Sequence, residues 1–259
     1  MKLPNAQKLL YVLLTLCVAC SFEETTLIGE QGNDPDDDNL NNIVDDDNTE
    51  PTIRACNFAW APETFDDGNA LLKWLTGGNE EEGFVATVEN GALALHLGEF
   101  DRWQQSTLQS NVNGFVTDFS GKETMVKILE VPKTAASSQS HLSLSNSFND
   151  GYFSIVLNAT TLRFIYREPG TSIWHTLGSV IYDPDVHVHW RLRHEQDTLF
   201  AEYSTDLRSF LEIGSTMIQE EQSPMIENSF IVLRAVSTAL VEQPGRFVVD
   251  DLNIDSNCE

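Results

Sequence analysis

The sequence predicts an all-β chain, a two-sheet antiparallel β-sandwich of jelly-roll type, and three observations carry that expectation. In residues 187–213, Val188, Trp190 and Leu192 alternate with His187, His189, Arg191 and Arg193, the period-two pattern of a strand with one buried face. After the polar break Glu195-Gln196-Asp197, Leu199, Ala201 and Tyr203 alternate with Phe200, Glu202 and Ser204. The stretch therefore reads as a hairpin whose apolar face needs a second sheet to cover it. The second observation is Asn90-Gly91 between the alternating runs 84–88 and 92–97, a strong signal for a two-residue hairpin turn. The third is recurrence without helical periodicity: further strands are expected near 112–119, 124–131, 141–146, 151–157, 161–167, 173–177, 186–194, 198–204, 229–236 and 246–254. Strands so spaced, without helices, build a sandwich.

From the N-terminus, residues 1–20 place Lys2 and Lys8 before an apolar run, Leu9 to Ala19, and then Cys20. That run is too short to cross a hydrocarbon core of about 30 Å as a helix, so the segment reads as an export signal. Its end, Leu16-Cys17-Val18-Ala19-Cys20, resembles a bacterial lipoprotein box in which Cys20 is acylated and becomes the new N-terminus. An ordinary secretion signal is the plainer alternative. The lipid would be the sole membrane anchor, and Ser21 points to the outer membrane or cell surface. Residues 21–55 hold eleven acidic residues and only Arg54 on the basic side. Such a segment cannot build a core, and self-repulsion extends it as a disordered tether. The triplets Asp36–Asp38 and Asp45–Asp47 lack the spacing and closing glutamate of an EF-hand.

Residues 56–259 suit one sandwich domain. They carry 29 acidic and 12 basic residues, and the whole chain has a formal net charge of −25. This acidity repels phosphate backbones, so nucleic acid is not an expected partner.

The run Trp190, Arg191, Leu192, Arg193, then Leu199, Ala201, Tyr203, Ser204, Asp206, Phe210, Ile213 and Gly214 resembles the concanavalin A-like lectin/glucanase superfamily, in particular its secreted bacterial members. Leu207 stands where that pattern has a turn glycine, and Phe210 where it has tryptophan. The export context pairs Cys56 with Cys258 as a disulfide, and the resemblance agrees because it brings the first and last strands together. It also implies sugar binding, a structural calcium held by Asp250 with Glu63, Asp66 and Asp67, and, in its glycosidases, a Glu-x-Asp-x-x-Glu strand. Glu195-Gln196-Asp197 starts such a run, but Thr198-Leu199-Phe200 follows without a second glutamate. With no other catalytic motif present, the sequence leans away from an enzyme.

Sugar rings stack on exposed aromatics beside hydrogen-bonding groups, and Arg102, Trp103, Tyr152, Trp174, Arg191 and Arg193 are the candidates. His187 and His189 share a strand face, and His175 would join them as a transition-metal set if the 173–177 and 186–193 strands paired; as solvent-facing polar residues beside two arginines they need no metal. The expectation is a lipid-anchored envelope protein that binds glycan without cleaving it. The alternatives are a glycoside hydrolase or lyase-like enzyme with a degenerate site, and a structural domain that binds other envelope proteins.

Overall fold

The computed structural model describes residues 55–66, 74–98, 104–110, 116–133, 137–146, 151–239, 242–256 and 258. The expected signal segment, its Cys20, and residues 21–54 of the acidic tether lie outside the described residues.

Fourteen strands are described: β1 (Leu75–Gly77), β2 (Ala86–Glu89), β3 (Ala92–His96), β4 (Gln104–Gln109), β5 (Glu123–Glu130), β6 (Ser138–Ser145), β7 (Tyr152–Asn158), β8 (Thr161–Arg167), β9 (Trp174–Ile181), β10 (His189–Glu195), β11 (Thr198–Ser204), β12 (Leu211–Met217), β13 (Phe230–Ser237) and β14 (Arg246–Asp250). One short helix, α1 (Ser223–Glu227), precedes β13. Sheet I runs β1-β4-β13-β6-β7-β8-β9 and sheet II runs β12-β11-β10-β5-β14-β3-β2. All ladders are antiparallel. This is the two-layer jelly-roll sandwich that the alternation required.

The turns are where local chemistry is clearest. Asn90 and Gly91 take φ values of 53° and 78°, the mirror-image turn that matches strand twist. In the β10–β11 hairpin Trp190 faces Tyr203 and Leu192 faces Ala201 across the ladder. Trp190, Leu192, Leu199 and Ala201 are fully buried. The Trp190 ring stacks on Phe247 with centroids 5.8 Å apart, and its indole N–H donates to the His187 carbonyl at 3.1 Å. From sheet I the core receives Leu142 and Leu144 of β6, Phe153 and Ile155 of β7, and Leu162 and Phe164 of β8.

Three strands went unread in the sequence: β1, β4 and β12. The polar run 104–109 and the glycine-interrupted run 211–217 give weak alternation, and only tertiary pairing makes them strands. Conversely, the strand expected over 112–119 is represented among the described residues only by a bridge from Thr117 to Ser229. Where sheet I ends at β9 and sheet II ends at β12, the backbones touch. A Cβ on Gly178 would lie 2.1 Å from the Ile213 carbonyl oxygen, so only glycine fits.

Cys56 and Cys258 form a disulfide with Cα atoms 5.4 Å apart, spanning 202 residues. Beside it Glu63 and Leu252 exchange two backbone hydrogen bonds of 2.9 and 3.0 Å, and the Asn253 amide donates to the Trp60 carbonyl at 3.1 Å.

Candidate functional site

The side chains of sheet I that point away from the core form the most distinctive polar surface of the described molecule. Since alternate residues of a strand face opposite sides, burying Leu142, Leu144, Phe153 and Ile155 turns Gln139, His141 and Ser143 of β6 and Tyr152, Ser154 and Asn158 of β7 outward. The register sets their order. One row across the sheet reads Thr107, Arg234, His141, Val156 and Arg163, and the next reads Gln109, Val232, Ser143, Ser154 and Ile165. A third brings Tyr152, Arg167 and Trp174 side by side.

Most of this face is buried although it lies outside the main core: His141 is 3% exposed, Ser143 1% and Ser154 0%, and Tyr152, Val156 and Ile165 form a small buried apolar cluster on it. Ser143 and Ser154 share a 2.8 Å hydroxyl contact. His141 Nδ1 lies 3.5 Å from Ser154 Oγ, and its Nε2 lies 3.1 Å from Gln139 Oε1. Gln105 Oε1, Asn158 Oδ1 and Arg234 Nε, all on this face, are buried without a hydrogen-bond partner. Native proteins rarely leave such groups unpaired, and water or a polar ligand would satisfy them.

Aromatic surface lies at one end. Tyr152 meets Trp174 edge to face with centroids 5.2 Å apart, and Trp174 is 49% exposed. The Arg167 guanidinium carbon stands 5.9 Å from the Tyr152 centroid and 5.7 Å from that of Trp174; that of Arg234 stands 5.6 Å from Tyr152.

The electrostatics of the face are unusual for so acidic a chain. Its strand positions among the described residues include Arg163, Arg167 and Arg234 but no Asp or Glu. Burial, reinforced by the charge of Arg234, holds the His141 imidazole well below its ordinary value. Burial raises the Tyr152 hydroxyl, against the opposing pull of Arg234 and Arg167, and it lowers Arg234 itself. At neutral pH the face thus presents a neutral imidazole, a protonated phenol and cations.

Of the residues singled out in the sequence, Tyr152 and Trp174 are brought together here, while Arg102 and Trp103 lie outside the described residues. Arg191 and Arg193 stand on the outer face of sheet II, where carboxylates hold them. Arg191 Nε donates to Glu202 at 2.7 Å and its NH1 to Glu123 at 3.2 Å; Arg193 NH2 donates to Glu202 at 2.9 Å. Their guanidiniums also cover Phe210 and Phe200, at 3.5 and 4.4 Å. The pairing imagined for His175 is corrected by the topology. β9 pairs with β8 in sheet I and β10 with β5 and β11 in sheet II, so His175 sits in the other layer and contacts Glu168 at 2.7 Å. Nor are His187 and His189 solvent-facing. Both are buried, at 4% and 7% exposure, and His187 packs 4.1 Å from the Tyr203 ring centroid.

Of the residues expected from the sequence to hold calcium, Glu63 accepts the Phe65 N–H on Oε1 at 3.1 Å. Asp250 Oδ1 accepts the Asp251 N–H at 2.8 Å, and its carboxyl is raised by burial and by the charges of Asp251 and Asp66. Asp67 lies outside the described residues. Among the described residues the one group with the spacing of a metal site is Cys56, Asp255 and Cys258, and its two sulfurs are joined to each other.

Sequence reasoning passed over Gln139, His141, Ser143, Ser154 and Arg234. Two signals were present: polar residues at every second position of SQSHLSLS, and a lone arginine inside the apolar run FIVLRAVS.

No family model and no curated protein matches the chain, but solved structures do. An endo-1,3-β-glucanase (laminarinase) catalytic domain from Thermotoga petrophila aligns at 12% identity over 75% of this chain and 95% of its own, with a TM-score of 0.53. The laminarinase from Rhodothermus marinus gives 8%, 75%, 95% and 0.54. SCLam, a non-specific endo-β-1,3(4)-glucanase of family GH16, gives 10%, 78%, 96% and 0.54. These neighbours correct the expectation of a non-catalytic binding module, because the matched folds are those of glycan-cleaving enzymes. The described chain has the concanavalin A-like jelly-roll fold, in the form that glycoside hydrolases of family GH16 adopt.

Proposed function

We propose that this chain is a glycan-cleaving enzyme of glycoside hydrolase-like build, working on the outer face of sheet I. The observation that carries the reading is the conjunction on one face of an aromatic pair, Tyr152 and Trp174, at one end of the strands, and of buried polar atoms without a hydrogen-bond partner, Arg234 Nε in mid-sheet and Gln105 Oε1 and Asn158 Oδ1 at the other end. Pyranose C–H faces stack on aromatic rings, and sugar hydroxyls supply the partners that those buried atoms lack. The likeness of fold to laminarinases supports a polysaccharide as the occupant. Among the described residues the strand positions of this face carry no carboxylate pair of the hydrolase kind, which supports a degenerate or lyase-like site. The Cys20 box and acidic linker support export and a lipid anchor at the bacterial envelope, with the acidic segment as spacer.

The test is to incubate the full chain with laminarin, mixed-linkage β-glucan and uronate polymers and to measure new reducing ends. Cleavage that falls at least about tenfold in Trp174→Ala, with an unchanged melting temperature, supports the assignment; intact polymers throughout overturn it. Detergent phase partitioning of the wild type against Cys20→Ser tests the anchor: both forms in the aqueous phase would refute it.

A further inference from the structure

We propose that the glycan is acidic, a polymer carrying uronate carboxylates, and that His141, Tyr152 and Arg234 cleave it by β-elimination. The inference rests on the glycan-cleaving reading and deepens it.

Charge leads the argument. In a chain of formal net charge −25, the basic side chains of sheet II are neutralised by carboxylates: Arg191 and Arg193 by Glu202, Arg246 by Glu89 at 2.6 Å. On the outer face of sheet I no carboxylate stands at any described strand position, yet Arg163, Arg167 and Arg234 all do. Arg234 is the sharpest case. It is partly buried in mid-sheet, its Nε has no hydrogen-bond partner, and burial lowers its pKa. A desolvated guanidinium without an acid is costly, and a substrate carboxylate, which matches its planar fork, removes that cost. A neutral glucan does not.

The chemistry follows from the groups present. Hydrolysis of a glycosidic bond uses two carboxyl groups roughly 5 to 9.5 Å apart, and the described strand positions of this face carry none. A uronate opens another route, because its C5–H lies next to the carboxylate. That proton becomes removable when the carboxylate charge is neutralised and the developing negative charge is stabilised by a fixed cation. Arg234 is placed for this role. Its Cα stands opposite His141 in the β13–β6 ladder, its guanidinium carbon lies 5.6 Å from the Tyr152 ring, and its charge is felt by both.

The step balances without a co-reactant. Gln139 Oε1 accepts the Nε2–H of His141, which leaves Nδ1 unprotonated. His141 Nδ1 takes the C5 proton, and the C5–H electron pair forms the C4=C5 double bond. The C4–O bond breaks, and the departing glycosidic oxygen takes the phenolic proton of Tyr152. Proton return from the imidazolium to the phenolate, directly or through solvent, restores the site. The products are an unsaturated uronate at one new end and a saturated reducing sugar at the other. Burial holds the imidazole below its ordinary value, so His141 rests without the second proton, and raises the phenol, so Tyr152 rests with its proton on.

The experiment incubates the full chain with polyguluronate, polymannuronate, polygalacturonate and hyaluronan, with the carboxyl-reduced form of each, and with laminarin. Ultraviolet absorbance reads the conjugated C4=C5 carboxylate, and a reducing-end assay reads total cleavage. The expected result is an absorbing product from at least one acidic polymer and none from its carboxyl-reduced form. Tyr152→Phe and His141→Gln should each lower the rate by at least about 10²-fold, and Arg234→Gln should raise KM as well as lower kcat. Thermal melts of each variant separate lost chemistry from lost folding, and Arg163→Gln is a companion that leaves the proposed acid and base in place. Cleavage of laminarin alone, without absorbance, overturns this inference while leaving the glycan-cleaving reading intact. Acidic polymers cut to saturated ends overturn the elimination. No cleavage of any polymer overturns both.

Discussion

Removing the cross-link between Cys56 and Cys258 should cost this fold about 5 kcal/mol. The bond closes a loop of 202 residues. In the chain-entropy treatment such a closure removes about 18 cal/mol/K from the unfolded ensemble, or about 5 kcal/mol at 25 °C. For a chain of this size each kcal/mol moves the melting temperature by about 2–4 °C, so the midpoint should drop by about 10–20 °C. The folded ends do not depend on the bond for their position. Glu63 and Leu252 are hydrogen-bonded to each other, Asn253 donates to the Met125 carbonyl at 2.8 Å, and Glu123 donates to the Asn57 carbonyl at 2.9 Å. The native structure should therefore survive, and the loss belongs to the unfolded chain. The assay is guanidinium unfolding of the wild type and of Cys56→Ala/Cys258→Ala, followed by tryptophan fluorescence. A loss under about 1 kcal/mol would show that the ends stay associated after unfolding, and an altered native spectrum would show that the bond shapes the fold itself. Either result refutes the reasoning.

Three further perturbations test other parts of the structure. Leu207 takes φ 67° at the position where the superfamily pattern has glycine; a left-handed non-glycine costs about 1–2 kcal/mol, so Leu207→Gly should raise the melting temperature by a few degrees, and a drop would count against strain there. Glu202→Ala removes the carboxylate that Arg191 and Arg193 share and leaves them Glu123 and Glu195, and breaking such a buried cluster should cost up to about 3–5 kcal/mol in a urea titration; an unchanged midpoint would mean that Glu123, Glu195 and solvent suffice. Below pH 6.5 the unfolded chain binds a proton at His141 that the folded chain refuses. Stability should therefore fall as pH drops through that value, by up to about 1.4 kcal/mol per pH unit until the folded imidazole itself titrates. His141→Gln should flatten this slope in melts run between about pH 7 and about pH 5, and an identical slope would refute the assignment.

How much of this was legible in the sequence varies by element. The β10–β11 hairpin was read almost to the residue, because Trp190, Leu192, Leu199 and Ala201 need one face buried and Gln196-Asp197 needs the turn. The Asn90-Gly91 turn was equally clear, since few other pairs tolerate two positive φ values. The β4 strand was not, because Gln104–Gln109 reads as polar loop until β1 and β13 supply its ladder partners. The candidate site was half visible: Tyr152 and Trp174 stood out as aromatics, whereas Arg191 and Arg193 looked as available as Arg234 does.

The sequence by itself determined the fold class, the two hairpin turns and the pairing of Cys56 with Cys258, since alternation, turn residues and export context are all local or compositional signals. Only the tertiary structure decided which arginines are neutralised, which sheet holds His175, and that Arg234, His141 and Tyr152 share one face. Those facts depend on the order of strands within each sheet. Residues as far apart as positions 141 and 234 become neighbours through ladder pairing, and no periodicity along the chain encodes that.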